Sequence, residues 1–484
     1  MRARVQWTTH AERELVIDEA LGLLERVGMR FGTCQTLEAL VQAGARVDRA
    51  AGVARLPREL VTRVLAQCPR DVPLAGATPA DDCLLDGKGV HFVPSGSPTQ
   101  TLDFETGEYR LGTLEDVRRS TIVADAMPVI DVMWPLVTAT DVPGARHIFA
   151  DLLAGVSWSA KHLQYDVTAM WQVEPMVRLM EILCGGLDEF RRRPRISFVC
   201  CSTSPLAVDS ALLDASVAVA RYGAPIVVYP MPIAGATAPV TIAGTVAMDV
   251  AEFLGVATAI GVGAPGARLI LGAGTSLLDM RATTYSLAAL ETALMAAACV
   301  EIGHHLGVPV LAPGLSSDAK YGGFQAGFEK ALKGLVVASS GADLITGGIG
   351  LLSGANIMSL PQIVMDAEVA TMIRRLLADT EISAQTIMED AMERLSFSGD
   401  YLREKETRLR VRAGEHFMPT VASRLSLEMW QKAGRDELAV AGEKVREIVA
   451  AADARGPVLP AETVAELEAV VSEAAADAEA RGLA

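Results

Sequence analysis

The residues best suited to chemistry in this chain are scattered, and their pattern matters more than any single motif. Tyr229, Trp134, Phe92, Tyr165, Tyr321, Phe324 and Phe328 all fall at or just beyond the ends of short apolar runs. Aromatics make up only 5% of the chain, so seven in such positions mark a candidate aromatic surface. Aromatic faces attract quaternary ammonium groups, although for any one of these rings core or lid packing is the plainer reading. Glu329, in "GFEKAL", would ordinarily be a solvated helix residue but lies close to this group. Lys320, in "SSDAK", is a candidate Schiff-base lysine, with Asp318 near enough to hold its ammonium charged. Cys200–Cys201 and His304–His305 are adjacent pairs without metal-ligand spacing. Neighbours in a strand point to opposite faces, so no metal site is expected there. The histidine pair reads as a helix end, where imidazoles meet terminal carbonyls. No G-x-S-x-G elbow and no Walker A sequence is present, and "GAGTS" alone is a weak phosphate signal.

Six loops share one character: "PSGSP" (Pro94–Pro98), "CCSTSP" (Cys200–Pro205), "PMPIAGATAP" (Pro230–Pro239), "LGAGTS" (Leu271–Ser276), "APGLSSDAK" (Ala312–Lys320) and "ITGGIG" (Ile345–Gly350). Together they would form a wide, mostly uncharged rim of small residues. At Gly274, Gly314 and Gly347 the bare backbone could approach a bulky ligand closely.

The elements that must carry these loops are short β-branched runs alternating with helical stretches. Eight strands are expected: Val90–Val93, Val132–Ala139, Ala160–Gln164, Ile196–Cys201, Pro225–Tyr229, Ala267–Leu271, Pro309–Ala312 and Asp343–Ile345. Each is followed by enough chain for a helix, which points to an α/β fold, a (β/α)8 TIM barrel over residues 86–380. Active sites of such barrels gather at the C-terminal ends of the strands. Residues 1–85 read as a helical N-terminal region. "AERELVIDEALGLLERVG" sets Leu15, Ile17, Leu21, Leu24 and Val27 on or near one face and stops at Gly28. Thr237 and Pro239 are placed to start the helix after the fifth strand. Residues 381–484 read as a helical C-terminal region lying outside the barrel or at a subunit interface, loosely held at its end.

Bulk properties narrow the function classes. The 484 residues carry a formal net charge of −16, which argues against a nucleic-acid surface. The basic run Arg191–Arg195 reads as a solvated turn before a strand. The most apolar windows, around Val240–Val262 and Ser286–Ile302, are interrupted by Asp249, Glu252, Glu291 and Glu301, so no membrane span is expected. The first residues lack the apolar core of a signal peptide. An odd count of seven cysteines without framework spacing suggests a reducing compartment, and the expected location is cytoplasmic.

"PMPIAGATAPVTIAG", with "RISFVCCSTSPL" before it and "SDAKYGGFQAGFEKAL" after it, resembles the trimethylamine methyltransferase family of corrinoid-dependent methyltransferases. "LGLLERVGMRF", "LVQAGARVD", "RLPRELV" and "TLDFETGEYRLGTLEDV" match as well, so the resemblance runs in order over roughly residues 15–380. It implies a TIM barrel that moves a methyl group from a methylated amine to the Co(I) corrinoid (cobalamin) of a small partner protein. On that reading no cofactor is tightly bound to this chain, and the neutral rim admits the corrinoid ring. Family members acting on trimethylamine carry pyrrolysine, whereas this sequence has ordinary residues throughout. Members without pyrrolysine look like quaternary-amine methyltransferases, glycine betaine being the best-known substrate type.

The resemblance then implies roles. Tyr229, Phe324 and Phe328 would line the ammonium, with Glu329 or Asp318 supplying charge complementarity at the catalytic centre. His162, Arg281, Ser204 and Thr275 are candidates to hold a substrate carboxylate, Arg281 in bidentate fashion unless it pairs with Asp279. Gly274, Gly314 and Gly347 would face the corrinoid. Two other functions stay open: a barrel lyase using Lys320, and a betaine-binding barrel without catalysis. A homo-oligomer is expected.

Overall fold

Eight short strands run parallel to one another in a computed structural model that describes residues 4–94 and 96–483, with the side chain of Ser398 left aside. Ser95, in the "PSGSP" loop, lies outside the described residues. The strands are β1 (His91–Phe92), β2 (Val132–Met133), β3 (His162–Asp166), β4 (Ile196–Thr203), β5 (Ile226–Tyr229), β6 (Leu269–Gly272), β7 (Val310–Pro313) and β8 (Leu344–Thr346). Every one falls on an expected run. A helix follows each in turn: α1 (Leu114–Asp125), α2 (His147–Trp158), α3 (Val173–Cys184), α4 (Ser210–Arg221), α5 (Ile242–Gly263), α6 (Leu290–Leu306), α7 (Phe324–Ser340) and α8 (Leu360–Leu377).

The parallel ladders join β2–β3–β4–β5–β6–β7–β8–β1 in that order. The expected closed barrel is met only in part, because among the described residues no ladder joins β1 to β2. There the backbone N–H of Asp131 donates to Phe92 O at 2.9 Å, while the N–H of Phe92 donates to Asp131 Oδ2 at 2.8 Å. A carboxylate, also paired with Arg374, takes the place a strand carbonyl would fill. β2 stops well short of Ala139 for a related reason: Pro135 has no N–H to give a neighbouring strand.

Side chains alternate across the sheet. Val93, Val132, Trp134, Val199, Val227, Ile270, Leu311 and Leu344 form one buried cluster, joined by Cys201 and Tyr229. A hairpin, Val72–Leu74 paired with Cys83–Leu85, packs into the same cluster. Its continuation is tied to the strands' N-terminal side by Ala75 N–H to Pro194 O (2.9 Å) and Ala77 N–H to Ala160 O (2.7 Å). The hairpin therefore closes that end and leaves the C-terminal ends free for a site.

The N-terminal region is less purely helical than its pattern suggests. The helix His10–Arg26 is set by a capping box between Thr9 and Glu12, and it buries Ala20 and Leu24 while Leu15 and Val27 stay exposed. Short strands Arg46–Asp48, Val53–Arg55 and Met29–Arg30 follow, the last pairing with Ala207 beyond β4. Helix α5 begins at its N-cap Thr241, whose hydroxyl accepts from Gly244 N–H, rather than at Thr237 or Pro239. By length and apolar composition α5 could cross a membrane, but its most apolar stretch is 78% buried within the protein. The last helix, Ala461–Ala480, is packed to its end, with Leu467, Val471 and Ala478 buried, contrary to the expected loose tail.

Candidate active site

The third strand decides where chemistry can occur. "HLQYD" alternates polar and apolar residues, so His162, Gln164 and Asp166 share one face while Leu163 and Tyr165 join the outer core. Gln164 is fully buried, and neither its Nε2 nor its Oε1 has a hydrogen-bond partner among the described residues. One strand over, beyond the pairing of Met133 with Leu163, Trp134 is buried and its indole Nε1–H has no partner among the described residues. Buried polar groups without partners cost about 1–3 kcal/mol each, so two side by side mark a place that a polar ligand would satisfy.

Asp166 stands two residues nearer the C-terminal end. No donor among the described residues reaches its carboxylate, and burial alone raises its pKa to about 6. Next to it in the sheet, Cys201 is also pushed up by burial, and further by the Asp166 charge. Cys201 pairs in register with Tyr229 at the end of β5, whose phenol burial likewise pushes up. Thr275, just past β6, is fully buried and its hydroxyl has no partner among the described residues. Trp134, Gln164, Asp166, Cys201, Tyr229 and Thr275 thus gather at the C-terminal ends of β2 to β6. The arrangement offers a lone negative charge, aromatic surface and several unspent hydrogen-bonding groups.

Tyr229 keeps its place because β6 ends in glycine. A Cβ on Gly272 would lie 2.0 Å from Tyr229 Cδ2 and 2.9 Å from its Cα. Gly272→Ala should therefore displace the ring and cost about 1–3 kcal/mol, read as a lowered urea midpoint with an unchanged m-value.

The residues expected from sequence are only partly brought to this place. Tyr229 and Thr275 are there. Phe324 and Phe328 touch each other with centroids 5.3 Å apart, but they are 88% and 43% exposed on the outside of α7 and enclose nothing. Among the other rings, Tyr165 turns outward and donates to Ile148 O, Phe92 is buried beneath Arg374, and Tyr321 is exposed. His162 sits at the opposite, N-terminal end of β3. Its Nδ1 lies 3.0 Å from Pro194 O and its Nε2 2.9 Å from Ser197 Oγ, and burial lowers its pKa to about 3. Ser204 donates to Glu252 Oε2 at 2.8 Å, and the same carboxylate takes Ser202 Oγ and the N–H of Leu206. Arg281 is exposed at the tip of the hairpin Ser276–Asp279/Thr284–Ser286, where Asp279 accepts its backbone N–H, not its guanidinium.

Asp318, in the β7–α7 connection, and Glu329, in the second turn of α7, both have their oxygens engaged. Glu329 accepts from Ser317 Oγ (2.7 Å), Asp318 N–H (2.9 Å) and Gln325 Nε2 (2.8 Å). Asp318 accepts from Ser286 Oγ and from Leu287 N–H at 3.3 Å. Lys320 is exposed and donates to the backbone O of Asp318 at 2.7 Å, not to its carboxylate. The three glycines are likewise spent inside the protein. A Cβ would lie 2.3 Å from Pro230 O at Gly274, 2.6 Å from Ile345 Cγ2 at Gly314 and 2.6 Å from Pro313 Cβ at Gly347. Gln164 and Asp166 had a legible signal: a polar face on a strand whose both sides should be buried.

Above the site, "PMPIAGATAP" folds into the short strand Ile233–Ala234, pairing with Ser276–Leu277. Thr237 Oγ1 accepts the N–H of Ile233 at 2.9 Å and tightens the turn. Met231, Val240 (72% exposed), Ile242 and Met280 (62% exposed) stand out from this rim as uncharged apolar groups. They leave an uncharged apolar rim beside the strand ends. The sequence matches trimethylamine methyltransferase (MTTB) over residues 2–478. The chain belongs to that family.

Trimethylamine methyltransferase MttB of Desulfitobacterium hafniense strain DCB-2 is 28% identical over 414 residues, 86% of this methyltransferase and 83% of that one. Glycine betaine methyltransferase of Desulfitobacterium hafniense strain Y51 is 26% identical over 470 residues, 96% of each chain. The hydroxylamine complex of MtmB superimposes with a TM-score of 0.47 at 15% identity, over 98% of this chain and 94% of that one, too distant to bear on the fold.

Proposed function

We propose that this methyltransferase transfers a methyl group from a quaternary amine of the glycine betaine type to the Co(I) corrinoid of a partner protein. We further infer that its eight strands act as a (β/α)8 barrel open at their C-terminal ends. The observation that carries the substrate class is Asp166: a part-buried carboxylate that no donor among the described residues reaches, at the same strand ends as the Trp134 and Tyr229 rings. A quaternary ammonium offers charge but no N–H, so it suits a carboxylate that no hydrogen bond awaits. The unspent Trp134 Nε1–H and Gln164 Nε2–H lie deeper and would receive the substrate carboxylate. The reacting methyl then points outward, toward the apolar rim. Asp166 replaces Glu329 and Asp318 as the charge partner in this assignment, because their oxygens are already engaged.

The corrinoid enters as co-substrate on its own protein and supplies the nucleophilic electron pair. The C–N bond breaks with its electrons left on nitrogen, so a neutral tertiary amine departs and no proton is needed. The chain's own residues therefore orient the substrate and exclude water, instead of acting as general acids. A single carboxylate without a hydrogen bond to the cation orients it without over-stabilising a charge that disappears in the transition state. Seven free thiols support the expected reducing location, and exposed apolar residues such as Phe397, Leu402 and Leu427 support the expected self-association.

Anaerobic mixing with Co(I) cobalamin and glycine betaine, proline betaine, carnitine, choline or trimethylamine tests the proposal. Loss of the Co(I) absorption band with a carboxylate-bearing quaternary amine, but not with trimethylamine, is the expected result. Reaction with trimethylamine alone, or silence across the panel with a cognate corrinoid protein present, would sink it.

A further inference from the structure

At the end of the molecule opposite the strand mouths, the N-terminal helix crosses α6. Helices run back against the strands, and His304 near the C-terminus of α6 meets Asp343 Oδ2 (2.7 Å) just before β8, which places this crossing at the closed end. The helix is fixed there from two sides. Glu301 of α6 accepts the N–H groups of Trp7 (2.6 Å) and Thr8 (2.8 Å) and pairs with Arg13 at 3.2 Å. The capping box of Thr9 and Glu12 then starts the helix at His10. His10 and Glu14, four residues apart on one helix face, are thereby laid against His305, which stands one turn after Glu301.

One ligand atom from each of His10, Glu14 and His305 lies within 4.8 Å of the other two. His305 Nε2 is 3.0 Å from Glu14 Oε1, and the two imidazole rings meet edge to face with centroids 5.1 Å apart. We propose that His10, Glu14 and His305 form a zinc site that clamps the N-terminal helix to α6. Two imidazoles and a carboxylate are borderline donors that favour Zn²⁺ over Mg²⁺ or Ca²⁺, which prefer all-oxygen shells. Tetrahedral bonds of about 2.1 Å set ligand atoms about 3.4 Å apart, so side-chain rotation alone brings the three atoms into place. The backbone positions are already held by Glu301, Arg13 and the capping box. Three protein ligands leave one position for water.

The site opens onto a cleft of about 530 Å³ that also contains Cys68 and Asp18. Burial pushes the Cys68 thiol up to about 11, which keeps it protonated and a poor fourth ligand. The clamp is independent of methyl transfer, since it sits at the far end of the strands from Asp166.

Full-length, tag-free protein titrated with Zn²⁺ against a chromogenic chelator tests the inference. One equivalent per chain is expected for wild type, Cys68→Ser and His416→Ala, the last an exposed histidine far from the three in sequence. His305→Ala and His10→Ala should lose that equivalent, and Glu14→Gln should weaken it at least tenfold. Zinc should also raise the melting temperature of wild type but not of His305→Ala, because it binds only the folded arrangement. Far-UV circular dichroism checks that each variant folds, and exposed His10 gives a second variant should His305→Ala fail. Wild type binding no stoichiometric zinc, or folded His305→Ala and His10→Ala both retaining it, overturns the site.

Discussion

Asp166→Asn should reduce kcat/KM for the quaternary amine about 10²–10³-fold and at the same time make the protein more stable. The activity loss follows from removing the one unpaired negative charge facing the ammonium, an interaction of roughly 3–4 kcal/mol at an effective dielectric near 20. The stability gain follows from linkage. Burial raises the folded-state pKa of Asp166 to about 6, above the unfolded value of about 3.9. The native state therefore binds the proton more tightly, and ionising the group weakens folding as pH rises between those two values. At pH 7 the full penalty applies, and the asparagine variant should gain about 2–3 kcal/mol. Below about pH 4 both forms of the chain are protonated and the gain vanishes. Urea unfolding of both proteins at pH 4 and pH 7, with steady-state kinetics at pH 7, checks the two halves. A variant that lost activity without gaining stability at pH 7 would place Asp166 in a paired, solvated setting and undo its role as a charge awaiting a cation.

Asp366→Ala should cost about 3–5 kcal/mol, the largest stability loss expected of a single substitution here. Lys330 and Asp366 are both buried, with Nζ and Oδ2 2.6 Å apart. Lys330 also donates to Gly348 O (2.6 Å) and Leu351 O (2.9 Å), while Asp366 accepts from Gly350 N–H (2.8 Å) and Gln362 Nε2 (2.7 Å). The pair thus fastens the "GGIG" loop after β8 to α7 and α8. Removing the carboxylate leaves a buried ammonium facing two carbonyls. Burial already lowers the Lys330 pKa, and Asp366 opposes that shift, so removing the carboxylate lowers it further. Replacing both partners, as in Lys330→Met with Asp366→Leu, should recover much of the loss because no lone charge remains. Equilibrium urea denaturation of the single and double variants measures both effects.

The secondary structure was largely legible because it follows from local chemistry. Short β-branched runs separated by helical stretches located all eight parallel strands, and Gly28 ends the N-terminal helix one residue past its C-cap Val27, close to where it was expected. Boundaries shifted where a local feature outweighed the pattern: Pro135 cut β2 short, and Thr241 moved the start of α5. The family was legible as well, since its motifs run in order along most of the chain. The site was legible only in outline. Candidates were drawn from loops and aromatic residues, yet Phe324 ended on an exposed helix face and Ser204 was bound to Glu252.

What the sequence determined by itself is the eight alternating strands and helices and the family, because spacing and local residue chemistry need no partners distant in the chain; the short strands within residues 1–85 came only with the tertiary structure. Which side chains remain free to act is a different kind of property. Asp318, Glu329 and Asp166 are all carboxylates near strand ends, and only the tertiary structure separates the two whose oxygens are already filled from the one that is not. Hydrogen-bond satisfaction and burial depend on groups brought together from far along the chain, so they were decided only when the sheet assembled.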